Sequence, residues 1–372
     1  MITRRKFIQT SAVLSTGLIL GCSSSDTTEN PTASKTWFMP DEGELHERTW
    51  MAFVSNDYIW EAQQIPVVKA DLVRIAQTIA KYEPVSMLVA PTDMIEAKNL
   101  IGSNHNYPID LIELETDDLW MRDTAPTFVV NEAKEKACIN FNFNGWGNDQ
   151  EHTLDQHVAK FVAKEAKVDI IATDLVLEGG CFEIDGEGNA IMTESCIVND
   201  NRNPNKTKEQ IEAEMKTLLG LEKVTWLKGI KGKDITDGHT DFYARFASSK
   251  SLVVSQDNYQ SSHDYAVTRE NIDVLSKALN AKNESFELHI LETPTDINPI
   301  GNEDSFAAGY IGYYLCNGAV ILQKFGDATA DKKAYDTLVK LFPNRVIEQI
   351  SIDGIASGGG SIHCATQQEP RV

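Results

Sequence analysis

The sequence predicts an α/β protein of one particular kind: a five-bladed, pseudo-symmetric α/β propeller, with five ββαβ units around a central channel. Three observations carry that prediction. A helix-then-strand cadence recurs five times, a pair of strands separates each strand from the next helix, and the polar motifs fall at one station in every unit. With 372 residues, 42% of them apolar, the chain has material for a large core and is no disulfide-stapled mini-protein.

The first helix runs from about Val67 to Tyr82, with Val68, Leu72, Ile75, Ala76 and Ile79 on one face of a 3.6-residue period. Pro84 then opens a strand over Val85–Ala90. The same cadence pairs Leu154–Ala166 with Val168–Ile171, Glu209–Leu219 with Val224–Leu227, Glu270–Leu279 with Phe286–Leu291, and Lys332–Leu341 with Val346–Ile350. Helix starts lie about 85, 55, 60 and 60 residues apart, a degenerate repeat. The wider first gap admits an extra helix near Thr92–Leu100, where Asp93 and Glu96 form a capping box.

The strand pairs are Thr127–Val130 with Cys138–Phe143, Phe182–Ile184 with Ala190–Thr193, Phe242–Phe246 with Ser251–Ser255, and Tyr310–Leu315 with Ala319–Gln323. The first unit has one such strand, Thr49–Val54, and the chain ends in an extra one, Ser361–Thr366. Pairing those two closes a ring. An ordinary three-layer α/β fold is the alternative.

The N-terminus reads as an address. Thr3-Arg4-Arg5-Lys6-Phe7-Ile8 is a twin-arginine export pattern, followed by an apolar run from Ala12 to Leu20. That run is shorter than the roughly 20 residues a spanning helix needs. Ile19-Leu20-Gly21-Cys22 resembles a lipoprotein cleavage site with Cys22 as the lipidated residue, ordinary signal-peptidase cleavage being the alternative. Residues 1–22 are thus an export signal, 23–36 a flexible Ser/Thr-rich tether, and 37–372 a single catalytic domain. The mature protein is expected to be exported and held at a membrane only by that lipid anchor.

Against 55 acidic residues stand 34 Lys and Arg, a net charge of −21. This argues against nucleic acid, which needs a basic face, and favours cationic ligands, unless the charge only keeps the surface solvated. Apart from Cys22, the cysteines are Cys138, Cys181, Cys196, Cys316 and Cys364, an odd number without a close pair, which argues against a disulfide framework.

Trp120-Met121-Arg122-Asp123, Glu178-Gly179-Gly180, Gly238-His239-Thr240-Asp241 and Gly358-Gly359-Gly360-Ser361-Ile362-His363-Cys364 occupy corresponding stations, with Asn302-Glu303-Asp304 a little upstream of its own, and all would converge on the axis of a ring. Carboxylates beside a thiol raise its pKa and hinder attack unless the substrate is cationic. A planar guanidinium fits: Asp123 and Asp241 clamp it, Cys364 attacks its central carbon, and His239 protonates departing ammonia before deprotonating water. Blander readings stand beside this one. Cys364 is also what a buried small hydrophobe looks like, Asp123 can pair with Arg122, and Glu178 can simply end a strand at a turn. His239, Asp241, His363 and Cys364 are types that bind zinc, although no pair has ligand spacing on one hairpin, and His363 and Cys364 are expected on opposite faces of a strand. Cys138, Cys181, Cys196 and Cys316, in apolar segments, read as core.

The motif from Asp117 through Asp123 to Pro126, with Leu177-Glu178-Gly179-Gly180, Thr193-Glu194-Ser195-Cys196, Asn201-Arg202-Asn203-Pro204, Thr236-Asp237-Gly238-His239-Thr240-Asp241 and Gly358 to Gln368, resembles the agmatine deiminase and bacterial-type peptidylarginine deiminase family. The match runs from about Met39 to Pro370. The resemblance implies a fivefold pseudo-symmetric fold, Cys364 as nucleophile, His239 as acid–base, Asp123 and Asp241 on the guanidinium, Glu178 orienting the site, and Asp117 and Trp120 at the substrate. It implies no metal or organic cofactor. Gly309-Tyr310-Ile311-Gly312 replaces a Ser-Tyr-x-Asn pattern, Phe242 replaces Asn, and Cys181 and Glu183 replace Ser and His. These departures predict an intact guanidinium end and a rebuilt far end. The substrate classes in view are agmatine first, then arginine in peptides or free. Amidino transfer to an amine and non-catalytic capture of cations are the other readings.

Overall fold

Short runs of β-branched and aromatic residues, broken by Gly, Asn and Asp turns, divide the β-structure into five separate sheets. The computed structural model describes residues 36–297 and 305–372; Arg4, Arg5, Cys22, the tether to Lys35, and Asn302-Glu303-Asp304 lie outside the described residues. The first sheet contains β1 (His46–Phe53), β2 (Val85–Val89) and β3 (Ile109–Glu113). The second contains β4 (Thr127–Val130), β5 (Lys136–Ile139) and β6 (Asp169–Ile171), and the third β7 (Phe182–Ile184), β8 (Asn189–Thr193) and β9 (Lys223–Leu227). The fourth contains β10 (Ala244–Ser248), β11 (Ser251–Gln256) and β12 (Glu287–Glu292), and the fifth β13 (Tyr314–Cys316), β14 (Ala319–Lys324) and β15 (Val346–Ser351). The last strand, β16 (Gln367–Pro370), returns to the first sheet and pairs antiparallel with β1, Trp50 opposite Gln367.

Each sheet repeats one connection. An antiparallel pair is followed by a helical crossover to a parallel third strand, as the ββαβ reading requires. The crossover helices are α1 (Ile65–Ile79), α2 (Met94–Ile101), α3 (Val158–Ala166), α4 (Lys208–Leu219), α5 (Asp264–Lys277) and α6 (Ala328–Leu341). Burial falls across each sheet in the same sense: β7 and β8 are wholly buried, whereas β9 is mostly half-exposed. In the second to fifth sheets the first two strands therefore supply the core and the third faces outward; in the first sheet the third strand of the repeat, β2, is wholly buried because β3 lies outside it.

Several boundaries differ from the sequence reading, each for a local reason. The capping box at Asp93 does not form: Asp93 makes no cap bond, and Lys69 draws both Glu96 (2.6 Å) and Asp93 (3.7 Å). Helix α6 starts at Ala328 because the Asp327 carboxylate accepts the backbone N–H of Thr329 and Ala330. Helix α5 starts at Asp264, since its buried face includes Thr268 and Asn271, which conceal the apolar period. Strand β3 alternates Ile and Leu with acids and has no counterpart in the sequence reading. Strands β10 and β13 begin later than expected, and Thr240–Phe242 forms a 3-10 turn.

The closing strand starts at Gln367 rather than Ser361. Residues 362–365 form a turn, held by Ala365 N–H to Ser361 O (3.2 Å), Thr366 N–H to His363 O (3.1 Å) and the Thr366 hydroxyl to Ile362 O (2.9 Å). His363 and Cys364 therefore sit on a turn and not on opposite faces of a strand. Among the described residues all five cysteines are free and buried, and no helix is long and apolar enough to cross a membrane.

The largest core cluster packs β1, β2 and α1 against Trp60, Trp120 and Trp146 and reaches Cys364. Gly360 lies flat against the Trp120 ring, where an added Cβ overlaps the ring carbons. Gly360→Ala is therefore expected to cost about 1–3 kcal/mol by overpacking. Urea denaturation at neutral pH measures it; an unchanged midpoint means that the indole yields freely.

Candidate active site

A cavity of about 360 Å³ opens among the starts of the strand pairs. Trp60, Trp120 and Trp146 wall it, Asp118, Asp123, His239 and Cys364 reach into it, and Gly358 and Gly360 leave room for the Trp60 and Trp120 rings. Glu178 and Asp241 stand directly behind.

Asp123 lies on a single helical turn, Met121–Thr124. Its Oδ1 accepts the Gly180 N–H (3.2 Å) and its Oδ2 the Trp146 Nε1–H (3.0 Å). Both donors are neutral. Burial, with the Asp241 and Glu178 charges behind it, pushes the Asp123 carboxyl up to about 6, although His239 opposes the shift. The sequence paired Asp123 with Arg122 as a bland alternative; Arg122 instead donates to Glu42 (3.1 Å) and Gln368 (2.8 Å).

Glu178 is fully buried in extended backbone just before the Gly179–Cys181 turn. Arg202 Nε bridges its two oxygens at 2.9 and 3.0 Å, and the Cys181 thiol donates to Oε2 (2.9 Å). Against the burial, this guanidinium and the His239 hydrogen bond bring Glu178 down to about 2. Arg202 also donates to Asp237 Oδ2 (2.9 Å) and Thr236 O (3.0 Å), stapling Glu178 to the loop that carries His239.

His239 Nε2 lies 3.2 Å from Glu178 Oε2, and Nδ1 lies 3.8 Å from Asp123 Oδ1. Gly180 has to be glycine here, because a Cβ would collide with Nδ1. Burial disfavours an imidazolium, but the Cys181 sulfur and the Asp123 and Glu178 carboxylates prevail and hold His239 well above its usual range. It is an acid in the resting site.

Asp241 Oδ2 accepts from His363 Nδ1 (2.7 Å) and lies 3.9 Å from Cys364 Sγ. Burial raises the carboxyl, yet the His363 bond holds it below the usual range. Its Oδ1 is buried without a hydrogen-bond partner among the described residues. Cys364 Sγ contacts Ser361 Oγ at 3.2 Å; burial first, then Asp241 and Asp123, push the thiol far up. Burial and these two carboxylates keep the thiol protonated.

The structure thus gathers Cys364, His239, Asp241, Asp123 and Glu178, with Trp120 in the wall. Asp117 does not join them. Its Oδ2 accepts the N–H groups of Leu154 (2.7 Å) and Asp155 (3.1 Å), and its Oδ1 the Tyr58 hydroxyl (2.9 Å). The neighbouring Asp118 lines the cavity instead, accepting from Trp60 Nε1 (3.0 Å), Trp120 Nε1 (2.9 Å), Gln150 Nε2 (3.0 Å) and its own neighbour's Leu119 N–H (2.9 Å). Of the departures noted in the sequence, only Phe242 lines the cavity; Glu183 pairs with Arg245 (2.8 Å), and Gly312 makes room for Ser361.

Sequence reasoning missed Asp118, Trp146 and Glu42 and gave Arg202 no role. Trp146 had a usable signal: Asn142, Gly145, Trp146, Gly147 and Asn148 all have positive φ, and a run of Asn and Gly around a tryptophan marks such a loop.

Glu178, Cys181 and His239 bring possible ligand atoms within 4.8 Å of one another, but Arg202 already spans both Glu178 oxygens and opposes a second cation. His363, the other imidazole considered for zinc, spends one nitrogen on Asp241 and the other on Glu42 (2.8 Å).

Comparison with known proteins agrees with this geometry. Residues 38–370 match the family model of the Porphyromonas-type peptidyl-arginine deiminase. A Legionella pneumophila protein provisionally named agmatine deiminase is 35% identical over 337 residues, covering 90% of this chain and 95% of its own. The structure described as agmatine deiminase of Enterococcus faecalis catalysing its reaction superposes with a TM-score of 0.84 at 28% identity, over 91% of this chain and 98% of that one. A Cys-to-Ser variant of the C. jejuni agmatine deiminase with substrate bound gives 0.77 at 25% identity, over 90% and 96%. The chain has the mixed α/β fold of these enzymes and belongs to the Porphyromonas-type peptidyl-arginine deiminase family.

Proposed function

We propose that this chain is an exported guanidine deiminase that hydrolyses agmatine to N-carbamoylputrescine and ammonia through an amidino-cysteine intermediate. The observation that carries the reading is Asp241 Oδ1, buried without a hydrogen-bond partner among the described residues, on a carboxylate beside the Cys364 thiol, which lines the cavity with Asp123 and His239. A planar cation with several N–H donors completes that site. The agmatine deiminases among its relatives favour agmatine over arginine.

The steps follow from the protonation states. A guanidinium between Asp123 and Asp241 offsets the charge that holds the Cys364 proton, and that proton leaves to solvent. The thiolate adds to the guanidinium carbon. His239 protonates one nitrogen of the adduct, and ammonia departs, leaving a cationic amidino-thioether and a neutral imidazole. That imidazole takes a proton from water as hydroxide adds. Collapse breaks the C–S bond, restores the thiolate and releases the ureido product with the remaining hydroxyl proton. One guanidinium and one water become one urea and one ammonium. Glu178, locked by Arg202, keeps the ring in place in both directions.

The ββαβ sheets are best accounted for as five blades around this cavity. Strand β16 pairing with β1, and the fall in burial toward the outer strand of each sheet, support a closed ring. The twin-arginine pattern and Cys22 support export and a lipid anchor, with a small cationic guanidine or an arginine-containing peptide as the partner outside the cytoplasm. Nothing in the charge or motifs calls for a nucleic acid or a cofactor.

Ammonia release by the domain from Lys35 onward is measured with agmatine, free arginine and an arginine-containing peptide. Agmatine turnover that falls to background in Cys364→Ala is expected. Turnover of the peptide instead transfers the reading to peptidylarginine, and no turnover by folded protein sinks deimination of these substrates. A new guanidine product on adding an acceptor amine identifies amidino transfer.

The pH dependence has a definite sign. Asp123 must be ionised to clamp the cation, and in the free enzyme it titrates near 6. The acid limb of kcat/KM is therefore expected near pH 6, falling about tenfold per pH unit below it, while the limb of kcat lies lower because bound cation favours the carboxylate. Trp146→Phe deletes a donor to that carboxylate and should move the kcat/KM limb upward. A limb that stays put in this variant argues against Asp123 as its origin.

Mass spectrometry of the mature N-terminus checks the anchor: a diacylated or triacylated Cys22 is expected, and an unmodified terminus cut elsewhere refutes it.

A further inference from the structure

The two ring nitrogens of His363 each meet a carboxylate: Nδ1 lies 2.7 Å from Asp241 Oδ2 and Nε2 lies 2.8 Å from Glu42 Oε2. An ionised carboxylate only accepts, and a neutral imidazole has only one N–H to give. Both carboxylates are ionised. Burial works against Glu42, but Arg245, His363 and Arg122 take it well below the usual range, and Asp241 is likewise held low. Each ring nitrogen thus faces a carboxylate, and the ring can donate to both only as an imidazolium.

We propose that His363 is a positioning residue: held as an imidazolium between Glu42 and Asp241, it keeps Asp241 ionised and occupies Oδ2, so that the free Oδ1 is presented to the substrate cation. Glu42 is its fixed counter-ion and comes from the segment ahead of β1. The Glu42 carboxylate is held from three further sides, by Arg122 Nη2 (3.1 Å), Arg245 Nη2 (2.8 Å) and the Leu315 N–H (2.9 Å). It has no freedom to follow the ring, so the ring follows it.

The charged groups around this assembly are few and fixed. Glu183 Oε1 lies 3.7 Å from His363 Nε2 but is engaged by Arg245 Nε (2.8 Å). Arg122 Nε points at the His363 carbonyl (3.4 Å), and Cys364 is the next residue in the chain. The same Asp241 Oδ2 lies 3.9 Å from Cys364 Sγ, and the charges of His239 and Arg245 also favour its carboxylate. Without the His363 charge, Asp241 is a buried carboxyl near the carboxyl of Asp123, and one of the two clamp arms protonates.

Two variants test this. Glu42→Gln allows a neutral imidazole to donate to Asp241 and accept from the new amide, so the ring's two hydrogen bonds persist while the charge goes, at the expense of the Arg122 bond to the same Oε2 position. His363→Gln retains an amide donor toward Asp241 and leaves Glu42 on its two arginines; it carries the test if the first variant fails to fold. The first readout is alkylation of Cys364, followed by peptide mass spectrometry, by chloroacetamidine (a cation) and by neutral chloroacetamide. The wild type should prefer the cation, and either variant should lose about tenfold of that preference. The second readout rests on the deimination reading: the acid limb of kcat/KM, one decade per pH unit in the wild type, should steepen toward two as Asp241 joins Asp123. If the wild type deiminates nothing, that reading fails, and the alkylation ratio still decides this one. A folded variant with unchanged cation preference overturns the proposal, because a merely structural histidine leaves the ratio alone.

Discussion

Three carboxylates buried around one thiol are the constraint from which the rest of the site follows. Like charges this close and this dry repel strongly, so each needs its own compensation. Glu178 has the Arg202 guanidinium across both oxygens. Asp241 has His363 on one oxygen and, among the described residues, no hydrogen-bond partner on the other. Asp123 accepts hydrogen bonds from an indole and an amide N–H, both neutral, with the His239 ring 3.8 Å away, and is the least firmly ionised of the three. The deficit thus falls on Asp123, which lines the cavity, and on one oxygen of Asp241 behind it. A cationic ligand supplies what the protein withholds, and by the same electrostatics it lowers the pKa of the nucleophile. Selection of a cation and activation of the thiol are one effect.

The compensating groups come from distant parts of the chain, and the sheet connections bring them together. Glu42 precedes β1 and Cys364 precedes β16; because those strands pair, the N-terminal counter-ion and the C-terminal nucleophile are fixed by one ladder. Arg122 ties the same corner from the second unit: its N–H donates to Cys364 O (3.0 Å) and its side chain holds Glu42 and Gln368. Arg202 comes from the loop after β8 and binds both Glu178 and the backbone ahead of His239. Removing one partner of such a buried pair characteristically costs about 3–5 kcal/mol, so these residues maintain the fold and the protonation states together.

Much of this was legible in the sequence because it rests on short-range signals. The ββαβ connection shows in periodicities of 3.6 and 2 residues, and Cys364, His239, Asp123, Glu178 and Asp241 stand out as reactive types beside glycines. What was lost had long-range causes. Helix α5 hides its first turns behind Thr268 and Asn271, whose burial depends on tertiary neighbours. The turn at 362–365 is made by hydrogen bonds that a strand-like run of side chains does not announce. Asp117 and Asp118 are adjacent acids that differ only in direction. One ties down the loop at Leu154 and Asp155; the other receives two indoles in the cavity wall.

Trp146 shows why the supporting residues stay invisible longest. A bulky side chain at φ 53 is strained, and the flanking Gly145 and Gly147 have no room for a Cβ against His152 and Asn201. That strain persists because the indole packs edge-on against Phe143 and donates to Asp123. The loop therefore sacrifices backbone comfort to hold one donor against the least compensated carboxylate. A sequence displays the charge that needs holding, since Asp and Cys are few and conspicuous. The group that holds it can be any donor that the fold carries to within 3 Å, here an indole, an amide N–H, an arginine and an imidazole, so the holders become readable only when the fold is known.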